Sequence, residues 1–306
     1  MLGQTMLEVN GLTVSFRMYD KGLSQKELEV ISNLNISVKE GEILAVAGSS
    51  GSGKSLLAHA VLGILPNNAT ISGEMRYMGE PLTPKLQEKL RGKEMALVPQ
   101  SVEYLDPLMR TGKQVRGING DKEKQRNIFE KFGLSSLAEK MFPFQLSGGM
   151  ARRVLISTAV IGDAKLVIAD EPTPGLSPEL AKTAMEHFRA LADQGCGVLL
   201  ITHDIELALS YADRIAVFYG GTTVETATVH DFTHGMDALR HPYTKALWQA
   251  IPQNGFRAIE GRQPYPDSLP GCCLFSPHCS IKTECCAERP VTRELRGGEV
   301  CCIHAT

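Results

Sequence analysis

The sequence predicts an α/β fold with a mainly parallel core sheet, an antiparallel β subdomain, a helical subdomain and a Cys-rich C-terminal tail. Three observations carry that expectation. The runs Lys165-Leu166-Val167-Ile168-Ala169 and Gly197-Val198-Leu199-Leu200-Ile201 are continuously apolar, as parallel strands covered on both faces are. Between them, Pro178 to Ala192 has apolar positions at helical spacing, which makes a βαβ unit with a right-handed crossover. Finally, the apolar run ending at Ala47 enters GSSGSGKS, residues 48–55, and good helix formers from Leu56 to Gly63 leave it.

The remaining elements follow in order. Leu7-Glu8-Val9, Leu12 to Phe16 and Leu34 to Val38 alternate apolar with polar residues, the pattern of antiparallel strands with one covered face. A turn over residues 39–42 feeds the strand before the glycine-rich loop. Thr70 to Gly79 reads as a short strand pair and Met95 to Pro99 as a short apolar strand. Residues 101–163 read as mainly helical, with polar Asp121 to Lys131 as an exposed helix face. Ala216 to Tyr219, ahead of Gly220-Gly221, reads as a hairpin strand. After Asn254 the chain turns Pro-, Gly- and Cys-rich with weak periodicity, which places a boundary between a main domain, 1–254, and an extension, 255–306.

Composition excludes several classes. A net charge of −2 over 306 residues offers no general nucleic-acid surface. No apolar run approaches the roughly 18 residues of a membrane span. The N-terminus MLGQTMLEVN lacks the basic and apolar regions of a signal peptide, so a cytoplasmic location is expected, with any membrane role supplied through a partner. Seven of the eight cysteines lie between Cys272 and Cys302, and a cytosolic setting favours a metal or cluster site over disulfides there.

Gly48, Gly53, Lys54 and Ser55 fit the phosphate-loop pattern G-x-x-x-x-G-K-[ST], with Ser49, Ser50, Gly51 and Ser52 between them and Leu56 following. A glycine- and serine-rich turn that binds nothing does not require the strand before it and the helix after it. With both present, backbone N–H groups and the helix dipole converge on an anion. Lys54 is then placed for the β- and γ-phosphates and the Ser55 hydroxyl for Mg²⁺. Asp170 ends an apolar strand and can hold the same ion, while Glu171 can orient or deprotonate the attacking water. Gln100 closes another strand, from which its amide reaches metal and water. His203 follows a third strand and can sense the γ-phosphate. Ser147-Gly148-Gly149, with Met150, opens a second helix and hence a second anion site. Two such helix ends far apart in one chain suggest half-sites completed by a second subunit.

Taken together, GSSGSGKS, Gln100, LSGGM at 146–150, LVIADEP at 166–172 and Thr202-His203-Asp204 resemble the ATP-binding subunit of ABC transporters. RHPYTKALWQAIP, residues 240–252, narrows the resemblance to subunits that drive peptide and nickel importers. The resemblance implies a P-loop NTPase cassette over 1–254, with a helical subdomain at about 101–163. It implies that ATP and Mg²⁺ bind, that Phe16, with Tyr19 as the alternative, stacks on adenine, and that residues 48–55 are Walker A and Gln100 the Q-loop. It further implies that Ser147 to Met150 form the signature, with Asp170 the Walker B acid, Glu171 the base and His203 the switch histidine. The implied partners are a second, homologous ATPase subunit, two membrane-spanning permease subunits near Val102 to Pro107, and indirectly an extracytoplasmic substrate-binding protein. The chain would sit peripherally on the cytoplasmic face of the membrane, with no nucleic acid involved. The rival is a soluble ABC-type ATPase acting in translation or DNA repair. Such proteins usually carry two cassettes or long coiled-coil insertions, and this sequence has neither. Two departures stand out: Ser177 replaces an Asp usual after the Pro-Thr pair, and Arg152 replaces a common Gln. Both fit a heterodimer with unequal sites.

The tail departs from the short Cys-x-x-Cys knuckles usual for zinc. It is similar to importer tails of the form G-C-x-F-x-x-x-C with a later Cys and a terminal V-x-C. That likeness implies a 4Fe–4S cluster on Cys273, Cys279, Cys286 and Cys302, with zinc as the alternative metal. Adjacent Cys272, Cys285 and Cys301 leave each assignment ambiguous by one residue.

Overall fold

The computed structural model describes residues 3–20, 24–49, 51–117, 121–258, 263–264 and 271–306. Two long antiparallel strands open the chain, β1 (Thr5–Tyr19) and β2 (Gln25–Lys39). The sequence pattern suggested three shorter strands. The ribbon instead runs through Gly11, where φ is +61° and the ladder shifts register. β3 (Ile43–Ala47) leads into α1 (Lys54–Leu62). Next come β4 (Ala69–Tyr77), β5 (Glu80–Pro81), α2 (Pro84–Leu90) and β6 (Met95–Val98). The strand pair expected at 70–79 is thus mainly one nine-residue strand laid against β1.

The helical subdomain contains α3 (Thr111–Arg116), α4 (Lys122–Lys131) and α5 (Gly148–Val160). The chain then alternates β7 (Leu166–Asp170), α6 (Pro178–Asp193), β8 (Gly197–Thr202), α7 (Ile205–Tyr211) and β9 (Arg214–Tyr219). β10 (Thr222–Thr228), α8 (Val229–Thr233) and α9 (Pro242–Ala250) follow. The tail adds β11 (Arg293–Leu295) and β12 (Gly298–Val300), two strands its weak periodicity did not announce.

These strands make two sheets. One is the antiparallel order β2-β1-β4-β5; the other is β11-β12-β10-β9-β3-β8-β7-β6. Within the larger sheet β6, β7, β8, β3 and β9 are parallel, and β10, β12 and β11 continue it antiparallel. Both faces of β3 are covered. Ile43, Ala45 and Ala47 enter one core cluster with Met185 and Phe188 of α6, while Leu44 and Val46 enter another with Leu57 and Val61 of α1. That two-residue alternation, buried on both sides, is why the run reads as continuously apolar.

The helical subdomain has its own core of Leu105, Val115, Phe129, Leu134, Val154 and Leu155. α5 also sends Ile156, Ala159 and Val160 into the main core, so one helix is packed into both bodies. The tail is docked rather than trailing. β12 pairs with β10, and Leu274 and Phe275 pack into the main core, Phe275 edge-on to Tyr219 at 5.5 Å. Buried Arg240 bonds Glu225 and Asp231 and donates to the tail carbonyls of Leu295 and Arg296.

Candidate nucleotide site and cysteine cavity

Because β3, β6, β7 and β8 are parallel, their C-terminal ends lie at one edge, where α/β sheets bind ligands. They deliver, respectively, the loop from Gly48, Gln100, Asp170-Glu171 and His203. Gly48 is required there: a Cβ on it would stand 2.6 Å from the Phe218 carbonyl oxygen of β9. Gly53 caps α1 at φ +97°, with Val30 of β2 packed against it. Ser50 lies outside the described residues.

The Lys54 ammonium is folded into the loop, donating to the carbonyls of Gly48 at 2.9 Å and Ser49 at 2.7 Å. Burial pushes its pKa down while Glu171 and Asp170 hold it up. Asp170 is 2% exposed, and its Oδ1 has no hydrogen-bond partner among the described residues. Burial lifts its carboxyl above the usual range, opposed by a hydrogen bond from Ser55 and by nearby His59 and Lys54. A hydroxyl and an unsatisfied buried carboxylate oxygen side by side fit a hard cation such as Mg²⁺.

Glu171 is buried and holds φ +48°, a strained conformation for a non-glycine residue, with its N–H bonded to the Ile201 carbonyl at 2.9 Å. Its Oε2 lies 2.7 Å from Nδ1 of His203, whose ring is otherwise largely exposed. Gln100 is exposed, and its backbone carbonyl is held by Arg152. Phe16 sits on β1 opposite Leu28 of β2, half-buried, two positions along β2 from the Val30 that touches Gly53. Tyr19, farther along, is exposed.

The second helix end is that of α5. Ser147 caps α5, its hydroxyl accepting from the Met150 N–H at 3.3 Å. A Cβ at Gly148 would meet nothing within 4 Å, so no neighbour among the described residues demands a glycine there. Ser177 caps α6 through the Leu180 N–H, the structural half of the job an Asp would do. The contacts of Arg152 escaped the sequence, which marked the residue as a departure that fits unequal sites; its place five residues past the Ser147 cap is the signal the sequence did carry.

In the tail, Cys273, Cys279, Cys286 and Cys302 line a single cavity with Phe275, Pro290 and buried His241. The neighbouring thiols are directed elsewhere: Cys272 to Ser276 Oγ, Cys301 to the Pro290 carbonyl, and Cys285 is exposed. Burial, with a contribution from the surrounding thiols, pushes Cys273 up to about 11, and Cys302 is raised for the same reasons. Among the described residues no group of three or more His, Cys, Asp or Glu is arranged so that it could hold a metal ion. Four thiols around one cavity are donors that zinc and an iron–sulfur cluster both take.

The sequence matches the family model described as ABC transporter over residues 31–174, and the model described as oligopeptide/dipeptide transporter, C-terminal region, over 224–286. A Brucella melitensis protein named as a peptide import ATP-binding protein is 34% identical, covering 96% of this chain and 92% of that protein. The dipeptide transport ATP-binding protein DppD of Escherichia coli K12 is 32% identical, covering 96% and 94%. The oligopeptide transport ATP-binding protein AppD of Bacillus subtilis is 32% identical, covering 92% and 90%. Among solved structures, the dimeric post-hydrolysis ATP-binding cassette MJ0796 bound to ADP and Pi aligns with a TM-score of 0.65 at 23% identity. It covers 73% of this chain and 99% of that one. That likeness establishes the cassette fold. No described helix is long and apolar enough to cross a membrane.

Proposed function

Since the chain belongs to the ABC transporter ATP-binding family and carries the C-terminal region of its oligopeptide and dipeptide members, we propose that it powers a peptide importer. It is an ABC-type ATPase cassette. The observation that carries the mechanism is the unsatisfied Oδ1 of buried Asp170 beside Ser55, Lys54 and the Glu171–His203 pair.

In this reading Lys54 leaves the loop carbonyls and donates to the β- and γ-phosphates, with the loop N–H groups around them. Ser55 and Asp170, with Gln100, would hold Mg²⁺, which would neutralise developing phosphate charge. Glu171 accepts the proton of the attacking water, and His203 orients that carboxylate. Phe16 supplies an aromatic face for adenine.

The glycine at 148 supports a composite site. Bare backbone that no neighbour in this chain requires suits close approach by a ligand held elsewhere. We assign that ligand to the nucleotide of a second, homologous ATPase subunit, and the two subunits to a pair of permeases at the cytoplasmic face of the membrane. An extracytoplasmic binding protein would deliver cargo. The relatives reported above are named for peptides and none of them for nickel, so peptides are taken as the cargo class. The soluble translation or repair alternative is not favoured.

The tail is assigned as a separate cassette extension after residue 254, holding a 4Fe–4S cluster on Cys273, Cys279, Cys286 and Cys302. When bound, such a cluster ties four points of a segment with a small core, since Val300, Cys302 and Ala305 are its main buried group. Co-purification in detergent tests the function. Recovery of two membrane-spanning proteins and a second ATPase subunit supports it, and recovery of ribosomes or of no membrane protein overturns it.

A further inference from the structure

Arg152 is 3% exposed, yet no carboxylate forms a salt bridge with it among the described residues. Its Nε donates to the Pro172 carbonyl at 3.0 Å, and its Nη1 donates to the carbonyls of Pro99 at 2.9 Å and Gln100 at 2.5 Å. Nη2 is buried with no partner. A buried cation satisfied only by neutral oxygens is an unfavourable arrangement that calls for a reason. Asp170 and Glu171 lie within Coulomb range of it, and burial works against its charge.

The three carbonyls belong to two loops that leave neighbouring parallel strands, β6 and β7. One loop carries Gln100; the other carries Glu171, which lies between its own N–H, bonded to the Ile201 carbonyl, and the next residue's carbonyl, that of Pro172, bonded to Arg152. The Arg itself sits on the first turns of α5, two residues beyond Met150. A Gln in its place carries only two N–H donors, whereas the guanidinium carries five in a fixed fork. The substitution therefore adds a rigid tie between the signature helix and the loops that hold the metal-side amide and the base.

We propose that Arg152 is a positioning residue that makes Gln100 and Glu171 move with the signature helix, so that nucleotide on the partner subunit sets hydrolysis on this one. The proposal rests on the composite-site reading above. Filling the partner's site draws on Ser147 to Met150, α5 shifts, and the guanidinium carries that shift to both strand-end loops. Glu171, whose strained geometry this chain already holds alone, is then aligned on its water only when the partner's site is filled.

The test uses the assembled complex with Arg152→Gln and Arg152→Lys, measuring kcat, KM and the Hill coefficient for ATP, with ATP-analogue binding to the ATPase subunit as control. The expected result for Arg152→Gln is a kcat lowered tenfold or more, KM and analogue affinity within about twofold, and a Hill coefficient that drops toward 1. Arg152→Lys, which keeps the charge but not the fork, should fall between Gln and wild type. A purely structural role would instead weaken analogue binding and thermal stability together while leaving cooperativity in the surviving protein. The proposal is overturned if Arg152→Gln retains wild-type kcat and Hill coefficient. Should that variant not fold, Arg152→Lys with unchanged cooperativity overturns it equally. A wild-type complex with a Hill coefficient of 1 sinks the inter-site link alone, whereas failure to assemble with permeases sinks the functional reading.

Discussion

His203 Nδ1 and Glu171 Oε2 are 2.7 Å apart across the ends of β8 and β7, which joins the proposed base and the proposed γ-phosphate sensor in one contact. The contact holds a carboxylate whose backbone is already strained. Glu171→Gln should lower kcat by about 10²- to 10⁴-fold while ATP affinity stays within a few-fold, because the phosphate cradle is untouched. His203→Ala should lower kcat by a smaller factor. Steady-state ATPase assays alongside nucleotide titration separate the two terms. Near-wild-type turnover by Glu171→Gln would move the hydrolysing role to the partner's site.

Lys54→Ala acts on binding itself. It removes the cation that offsets buried Asp170 and Glu171, and nucleotide affinity should fall tenfold or more. Asp170→Asn should lose the Mg²⁺-dependent part of affinity while binding of metal-free ATP changes little, since only the orphaned oxygen is altered. Titration calorimetry with and without Mg²⁺ distinguishes these variants.

The linkage at His241 sets an acid limit on stability. Complete burial pushes this imidazole down to about 3, and its neutral Nδ1 accepts the Tyr243 N–H at the start of α9. In the unfolded chain the ring takes up its proton near 6.5. The unfolded state therefore binds more protons between those values. Stability falls as pH drops from 6.5 toward 3, by up to about 1.4 kcal/mol per pH unit, and is unaffected by this group above 6.5. His241→Asn keeps an N-cap acceptor and should flatten that slope in denaturant titrations run across the window.

Arg240 is the other device that pins the tail. Arg240→Ala leaves Glu225, which is almost completely buried, without its cation and frees the carbonyls of Leu295 and Arg296. A loss of about 3–5 kcal/mol is expected, with the tail becoming the first segment cut in limited proteolysis.

Much of the nucleotide site was legible because each part is a local pattern. A strand, GSSGSGKS and a helix specify their own geometry, and so do an apolar strand ending in Asp170 and a cap at Ser147. What escaped depends on contacts distant in sequence. Arg152 reaches residues 20 and 53 positions away through side-chain-to-backbone bonds that leave no periodic trace. The ribbon of β1 and β2 was broken into short pieces because Gly11 and Asn33, both at positive φ, interrupt the alternation without ending the pairing. β11 and β12 were invisible because three-residue strands exist only by adding to the edge of β10. In the tail, likeness to importer tails picked Cys279 and one Cys from each of the three adjacent pairs, and these four line one cavity.

That selection can be measured. Anaerobically purified protein should be brown with about four irons per chain. Cys286→Ser should lose colour and iron, whereas Cys285→Ser, at the exposed neighbour, should keep both. Colourless protein with about one zinc per chain would support the tetrahedral alternative.

Reconstituted transport tests the central claim most directly. The complete complex in proteoliposomes, with ATP on the side bearing this subunit and binding protein plus labelled peptide on the other, should accumulate peptide only when ATP hydrolyses. Glu171→Gln should bind ATP yet accumulate none beyond background. Accumulation that proceeds equally without ATP, or ATP hydrolysis that never moves peptide with every subunit present, would contradict the assignment of this chain as the motor of a peptide importer.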